Sequence, residues 1–232
     1  MADRDLGSVL AALADRRAAA HGTLLVGLAG GVAVGKSTLA AQLAEGLAAD
    51  GGPVQVVATD GFLKPNRELA AAGSIHRKGF PETYDWDALH GFLDRLADGR
   101  PAATPVYSHV TYDIVPGETR AVEAGGVVIV EGLNVLQTRE ARRRFGLSLY
   151  LDADPDHVKA WFLRRLDEIV AREPQSFIAQ IKDEAERRAL IEAAWRDINL
   201  VNLRDHIAPT MAHADVVVRK GPDHAIAAVE IR

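Results

Sequence analysis

The chain has 232 residues, 48% hydrophobic and 25% charged, which is ordinary for a globular domain large enough to bury a core. A net charge of −5 argues against a general nucleic-acid binder, and the lack of cysteine excludes disulfides, thiolate catalysis and cysteine-held zinc. Charged residues interrupt the N-terminal stretch and no apolar run reaches ~18 residues, so neither a signal peptide nor a membrane span is expected, and a cytoplasmic location is the default.

Leu6, Val9, Leu10 and Leu13 recur at helical spacing and predict a short amphipathic helix that Gly22 ends. "TLLVGLA" (23–29) reads as a buried strand, and a helix follows from Ser37 to Ala49 until "DGGP" stops it. "VQVVATD" predicts a second strand ending at Asp60. "DWDALHGFLDRLADG" (85–99) predicts a helix capped by Asp85 or Asp87 and closed by Gly99. "GGVVIVEG" (125–132) and "LSLYLDA" are further strands, the first ending in Glu131. "DPDHVKAWFLRRLDEIVA" is a helix with Pro155 in its first turn, and "EAERRALIEAAWRDI" is another. "DVVVRK" is a late strand, and "AIAAVEIR" fits a final helix or strand. Alternating strands and helices predict an α/β fold in three layers, with a mostly parallel sheet between helices. The organisation expected is one domain over 1–232, with an N-terminal helix in 1–22 and a helical lid and acceptor pocket at about 155–212.

The stretch "GGVAVGKST" fits G-x-x-x-x-G-K-[ST], a phosphate-binding loop. Gly30, Gly31 and Gly35 let backbone N–H groups turn inward around a phosphate chain, with Val32, Ala33 and Val34 between them. Lys36 supplies positive charge to the β- and γ-phosphates, the Ser37 hydroxyl can hold Mg²⁺, and with Thr38 the loop passes into a helix whose N-terminus favours an anion. The loop therefore predicts ATP and Mg²⁺ as cofactors. Ligands of an open parallel sheet sit beyond the carboxyl ends of the strands. Two strands deliver an acid there. Asp60 is the candidate base toward an acceptor hydroxyl, and Glu131 the candidate acid on the metal side.

Beyond the loop, "TDGFLKPN", "RKGFPETYD", "VYSHVTYDI" and "VEGLNVLQ" follow in order, then "AWFLRR", "RDINLVNL" and "HIAPT". From Leu24 onward the chain resembles the bacterial (type I) pantothenate kinases of the P-loop kinase superfamily. That resemblance implies phosphorylation of the primary hydroxyl of pantothenate by ATP, the first step toward coenzyme A. It assigns Asp60 as base, Arg165 to the transferring phosphoryl group, and Tyr107, His109, Tyr112 and Asn202 to pantothenate. Lys220 and His224 match positions near the adenine. Trp161 and Phe162 are the expected apolar wall of the pocket, and Phe162 stands where the family often has tyrosine. The resemblance also suggests a homodimer. Kinases of this fold that use a sugar, a nucleoside, glycerate or a pantothenate-like amide share the same loop and acids, and so could a nucleotide-binding switch without turnover.

The family carries a longer segment ahead of the loop, and "REPQSF" after the lid helix is short. Members inhibited by coenzyme A have a basic residue where Ala41 stands, so weak inhibition is expected. Trp195 reads as core, and Arg142, Arg143 and Arg144 as a solvated helix face. Of Arg164 and Arg165 one is expected to face water, and Arg77 and Lys78 stand between ligand and surface roles.

Overall fold

The computed structural model describes residues 2–49 and 51–232; of the "DGGP" stop, Asp50 lies outside the described residues. Helix α1 (Ala2–Ala19) leads into strand β1 (Leu24–Gly30), helix α2 (Lys36–Ala49) and strand β2 (Val54–Ala58). Helices α3 (Asn66–Ala71) and α4 (Trp86–Ala97) precede strands β3 (Ala102–Ser108), β4 (Asp113–Val122) and β5 (Val127–Gly132). Then come α5 (Arg139–Arg142), β6 (Leu147–Ala153), α6 (Pro155–Arg172), α7 (Phe177–Gln180) and α8 (Glu184–Ala194). Strands β7 (Val216–Lys220) and β8 (Ile226–Ile231) close the chain.

Six strands form the main sheet in the order β2-β5-β1-β6-β7-β8, parallel except for β8. Helices cover both faces, which is why the central strands read as unbroken apolar runs. Successive residues of β1 and β5 feed opposite layers. Leu24, Val26, Leu28, Val127 and Ile129 enter the core under α1, α2 and α6. Leu25, Ala29, Val128 and Val130 enter the core under α4. In register, Ala58 of β2 and Leu28 of β1 both lie beside Glu131 of β5, so three strands end at one edge.

Caps fix the helix starts. Asp85 accepts from Ala88 N at the head of α4, and Asp154 accepts from Asp156 N ahead of Pro155. Helix α1 seats Val9 and Leu13, both fully buried, in the sheet core. A Cβ on Gly46 would lie 2.8 Å from Leu10, so that glycine permits the close approach of α1 to α2. Arg17 Nη1 donates to Leu47 O at 3.1 Å and closes the C-terminus of α2. Leu13→Ala leaves a cavity at this seam and is expected to cost about 2–5 kcal/mol, read as a lowered denaturation midpoint at unchanged m-value.

Several sequence expectations need correction. The second strand stops at Ala58, and Asp60 sits in a single 3₁₀ turn, Thr59–Phe62. The β3–β4 hairpin was not anticipated; Pro101, Pro105 and Pro116 mask it, and most of β4 faces water without apolar alternation. The last segment is a strand. The helix expected through Ile198 ends at Ala194 and continues as a π-helical turn, Trp195–Asn199, with a second at Leu203–Ile207. Arg142 and Arg144 are not simply solvated: Arg142 Nη1 donates to Leu136 O and Gln137 O at 2.8 and 2.9 Å, and Arg144 pairs with Asp94. Trp195 is core, as expected.

The hairpin also covers the outer edge of β2. Arg120 Nη2 donates to Val56 O at 2.7 Å. The Gln55 amide donates to Glu123 O and accepts from Glu123 N, at 2.8 and 3.1 Å.

Candidate active site

The glycine loop leaves β1 at the edge where β2 and β5 also end. Gly30 has φ +156°, and a Cβ there would lie 2.6 Å from Leu151 O; Gly35 has φ +93°. Ala33 takes a left-handed conformation at φ +55°, a cost that residue type and spacing gave no hint of. The loop backbone thus turns through positions that side chains disfavour, which is how its N–H groups come to face inward. Lys36 opens α2, is 9% exposed, and donates to Gly31 O at 2.8 Å. Burial lowers its pKa from the ordinary lysine value; Glu131 and Asp60 oppose that shift and Arg165 adds to it. Glu131, Asp60 and Arg165 therefore all lie near the Lys36 amine, because only groups close in space act on a buried charge this way.

Ser37 Oγ donates to Glu131 Oε1 at 2.7 Å, across from α2 to the end of β5. Among the described residues no cluster of three metal-ligating side chains exists. A hydroxyl and one carboxylate side by side suit an ion that keeps much of its shell as water and substrate phosphate, the manner of Mg²⁺. These two residues fit that ion.

Over the loop stands a cleft of about 450 Å³, walled on one side by Gly35, Lys36 and Thr38. Trp161, Arg164, Arg165 and Glu168 of α6 form the other wall, with His224 at its end. Both arginines line it and both are exposed to solvent. The Trp161 ring stacks on His224 with centroids 3.7 Å apart, and its Nε1 donates to Pro222 O at 3.1 Å. It walls the phosphate-loop cleft. Lys220 Nζ donates to Val34 O at 3.2 Å, so strand β7 holds the loop from above. Burial lowers the His224 pKa, with Lys220 and Arg164 pushing the same way and Asp223 opposing.

On the far side of Asp60 lies the hairpin. A Cβ on Gly61 would come 2.4 Å from Pro105 O, so β3 rests directly on the Asp60 turn. Tyr107 is half-buried beside it, and its phenol is pushed up by burial and then by Asp60. His109 lies edge-on to the Tyr107 ring at 5.2 Å. Tyr112, 44% exposed and at φ +51°, occupies the hairpin tip. Lys78 was only weakly flagged by sequence. It donates to Asn66 Oδ1 and Tyr112 O, lies 5.1 Å over the Tyr107 ring, and is drawn toward Asp113 and Asp60. Arg77 instead pairs with Glu82 and covers Phe80. Asn202 is buried and donates to Gly79 O at 2.8 Å. Phe162 is buried against Trp195, ring centroids 5.7 Å apart, within the core. The residues of "VYSHVTYD" therefore gather near Asp60, whereas Phe162 packs inward.

A six-stranded, mostly parallel sheet with a phosphate loop at its edge, Glu131 at the end of β5 and Asp60 in the turn after β2 defines a P-loop kinase fold. The phosphoribulokinase/uridine kinase family model matches residues 25–227, and the chain belongs to that family. A pantothenate kinase of Streptomyces avermitilis is 44% identical over 195 residues, 77% of this chain and 59% of that protein. One from Brucella ovis is 42% identical over 196 residues, 77% of this chain and 61% of that protein. The chain thus spans about three-fifths of the length of these relatives. The D-glycerate 3-kinase structure from Cryptococcus neoformans superposes with TM-score 0.73 at 15% identity, over 100% of this chain and 99% of that one, and shares the fold.

Proposed function

We propose that the protein is an ATP-dependent pantothenate kinase, transferring a phosphoryl group to the primary hydroxyl of pantothenate. The observation that carries the substrate is the 40–44% identity to proteins of that name. Geometry supports the chemistry: phosphate-binding, metal-holding and proton-accepting groups converge at one sheet edge. Lys36 and the loop N–H groups bind the β- and γ-phosphates. Ser37 and Glu131 hold Mg²⁺, which when bound neutralises charge on the phosphates. Asp60 accepts the hydroxyl proton, and Arg165 offers its donor fork to the equatorial oxygens. The Trp161–His224 stack and Lys220 lie on the nucleotide side. Tyr107, His109, Tyr112 and Lys78 stand on the acceptor side and supply donors to its carboxylate, amide and second hydroxyl, with Asn202 as a further candidate. A cytoplasmic location and a homodimer accompany this reading on the strength of composition and resemblance. Among the described residues, no helix is long and apolar enough to cross a membrane.

The test is ADP release by purified protein with Mg-ATP, with and without pantothenate, and the product identified by mass. Pantothenate-dependent ADP and phosphopantothenate support the reading. Turnover only on a sugar, nucleoside, glycerate or amide in the same assay transfers the activity to that acceptor, and nucleotide binding without any turnover points to a switch. Ala41 lies exposed on α2, without the cation that would meet a bound coenzyme A phosphate. Coenzyme A at micromolar concentration is therefore expected to leave the rate nearly unchanged; strong competition against ATP would remove that expectation.

A further inference from the structure

Beneath the Asp60 turn runs a buried polar seam, of which the chemistry above uses only Asn202. Thr59 and Asn134 are each 1% exposed, Tyr84 2% and Asn202 4%. They come from four separate segments. Asn134 Nδ2 and Asn202 Nδ2 both donate to Gly79 O, at 2.7 and 2.8 Å. Thr59 Oγ1, Tyr84 Oη, Asn134 Oδ1 and Asn202 Oδ1 make no hydrogen bond of ordinary geometry. A buried polar atom left so costs about 1–3 kcal/mol. Four of them together in a well-packed core call for a use.

Backbone ties place the seam against the site. Leu63 and Tyr84 form an antiparallel bridge, Asp85 N donates to Phe62 O at 2.8 Å, and Lys64 N donates to Thr83 O at 2.9 Å. The segment carrying Tyr84 is therefore laced to the segment that follows Asp60. A Cβ on Gly132 would fall 1.7 Å from Thr59 Oγ1, so the Thr59 side chain lies directly on the backbone beyond Glu131. Tyr84 is close enough to Thr59 and Asn134 for both to favour its ionised form, and to Asp60 and Glu131 for both to oppose it. Burial outweighs all of these and keeps the phenol neutral, far above its ordinary pKa.

We propose that Tyr84, with Thr59 and Asn134, is a positioning residue for phosphoryl transfer: it holds the Thr59–Phe62 turn against the end of β5 and so fixes Asp60 relative to the Ser37–Glu131 pair. The proposal rests on the kinase reading of the site. Its leverage comes from geometry, because a misplacement of about 1 Å can cost about 10²-fold in rate.

The experiment is a double-mutant cycle of Tyr84→Phe with Asp60→Asn, reading kcat, KM for ATP and thermal melting. Tyr84→Phe alone is expected to lower kcat about 10–100-fold with KM for ATP within about twofold. In the Asp60→Asn background it is expected to cost little more, because the carboxylate it positions is already gone. The same fractional loss in both backgrounds, or a wild-type kcat, overturns the proposal. Should Tyr84→Phe not fold, Thr59→Val keeps the shape, loses the hydroxyl and carries the same cycle. The assay uses pantothenate and the best acceptor of the panel above. Wild-type turnover on another alcohol revises the substrate and leaves the cycle to decide the proposal; no turnover on any acceptor overturns both.

Discussion

Asp60→Asn lowers turnover by about 10²–10⁴-fold and leaves nucleotide affinity near that of the parent protein. The asparagine keeps the size of the side chain and accepts hydrogen bonds, but it cannot take a proton. Asp60 stands on a turn braced from two sides, by Pro105 O above Gly61 and by the Tyr84 segment below. The backbone has little reason to move when the charge is removed. Nucleotide affinity depends on the loop and on Lys36, whose Nζ is held at Gly31 O and not by Asp60. Single-turnover transfer from Mg-ATP measures the first quantity and calorimetric nucleotide binding the second. Turnover within a few-fold of the parent would take Asp60 out of the base role. An intermediate loss would mean that it orients the hydroxyl more than it deprotonates it.

Lys36→Met is expected to move activity and stability in opposite directions. Removing a preorganised donor to transition-state charge typically costs about 10²–10³-fold. Lys36 is the one lysine in the loop sequence, with Lys220 Nζ resting on it only at Val34 O, so kcat/KM for ATP should fall at least that far. Yet burial depresses the lysine pKa, which means that the fold disfavours the charge it holds. With the folded pKa below the unfolded one, the unfolded chain binds more protons between the two values. The cost is fully present below the folded pKa and is relieved as pH rises toward the ordinary lysine range. Methionine fills the same stem volume without that cost. The melting temperature at neutral pH is expected to hold or rise while activity collapses. A marked drop in melting temperature would show that the ammonium supports the fold through Gly31 O, Glu131 and Asp60.

What the sequence discloses depends on whether a residue's task is local. Gly30, Gly35, Lys36 and Ser37 each answer to neighbours within a few positions, so spacing suffices to read them. The continuous apolar runs of β1 and β5 announce strands buried on both faces. Asp85 and Pro155 mark helix starts by chemistry confined to one turn. Tasks set by distant segments stay hidden. The strand through "VQVVATD" ends early because Gly61 must pass beneath Pro105, a contact across more than forty positions of chain. The β3–β4 hairpin lacks alternation because β4 faces water on both sides over most of its length. Trp161 reads as a pocket aromatic, and only the loop bearing Pro222 and His224 decides which pocket. Tyr84 lies inside "RKGFPETYD", but nothing in that stretch marks its task, which is visible only once Thr59, Asn134 and Gly79 are neighbours.

The hairpin over β2 has a consequence beyond the acceptor side. β2 is the outer strand of the main sheet, and an outer strand offers free carbonyl and amide groups to any extended chain. Here Arg120 occupies Val56 O, and the Gln55 side chain pairs with the backbone of Glu123 instead of leaving that flank open. The contact is made by side chains, so it blocks strand addition without itself extending the sheet. The element that carries Tyr107, His109 and Tyr112 toward Asp60 thereby also guards the protein against self-templated aggregation. Residues far from the cleft, Arg120 among them, are tied to the edge of the sheet and to the shape of the hairpin beside Asp60 at once.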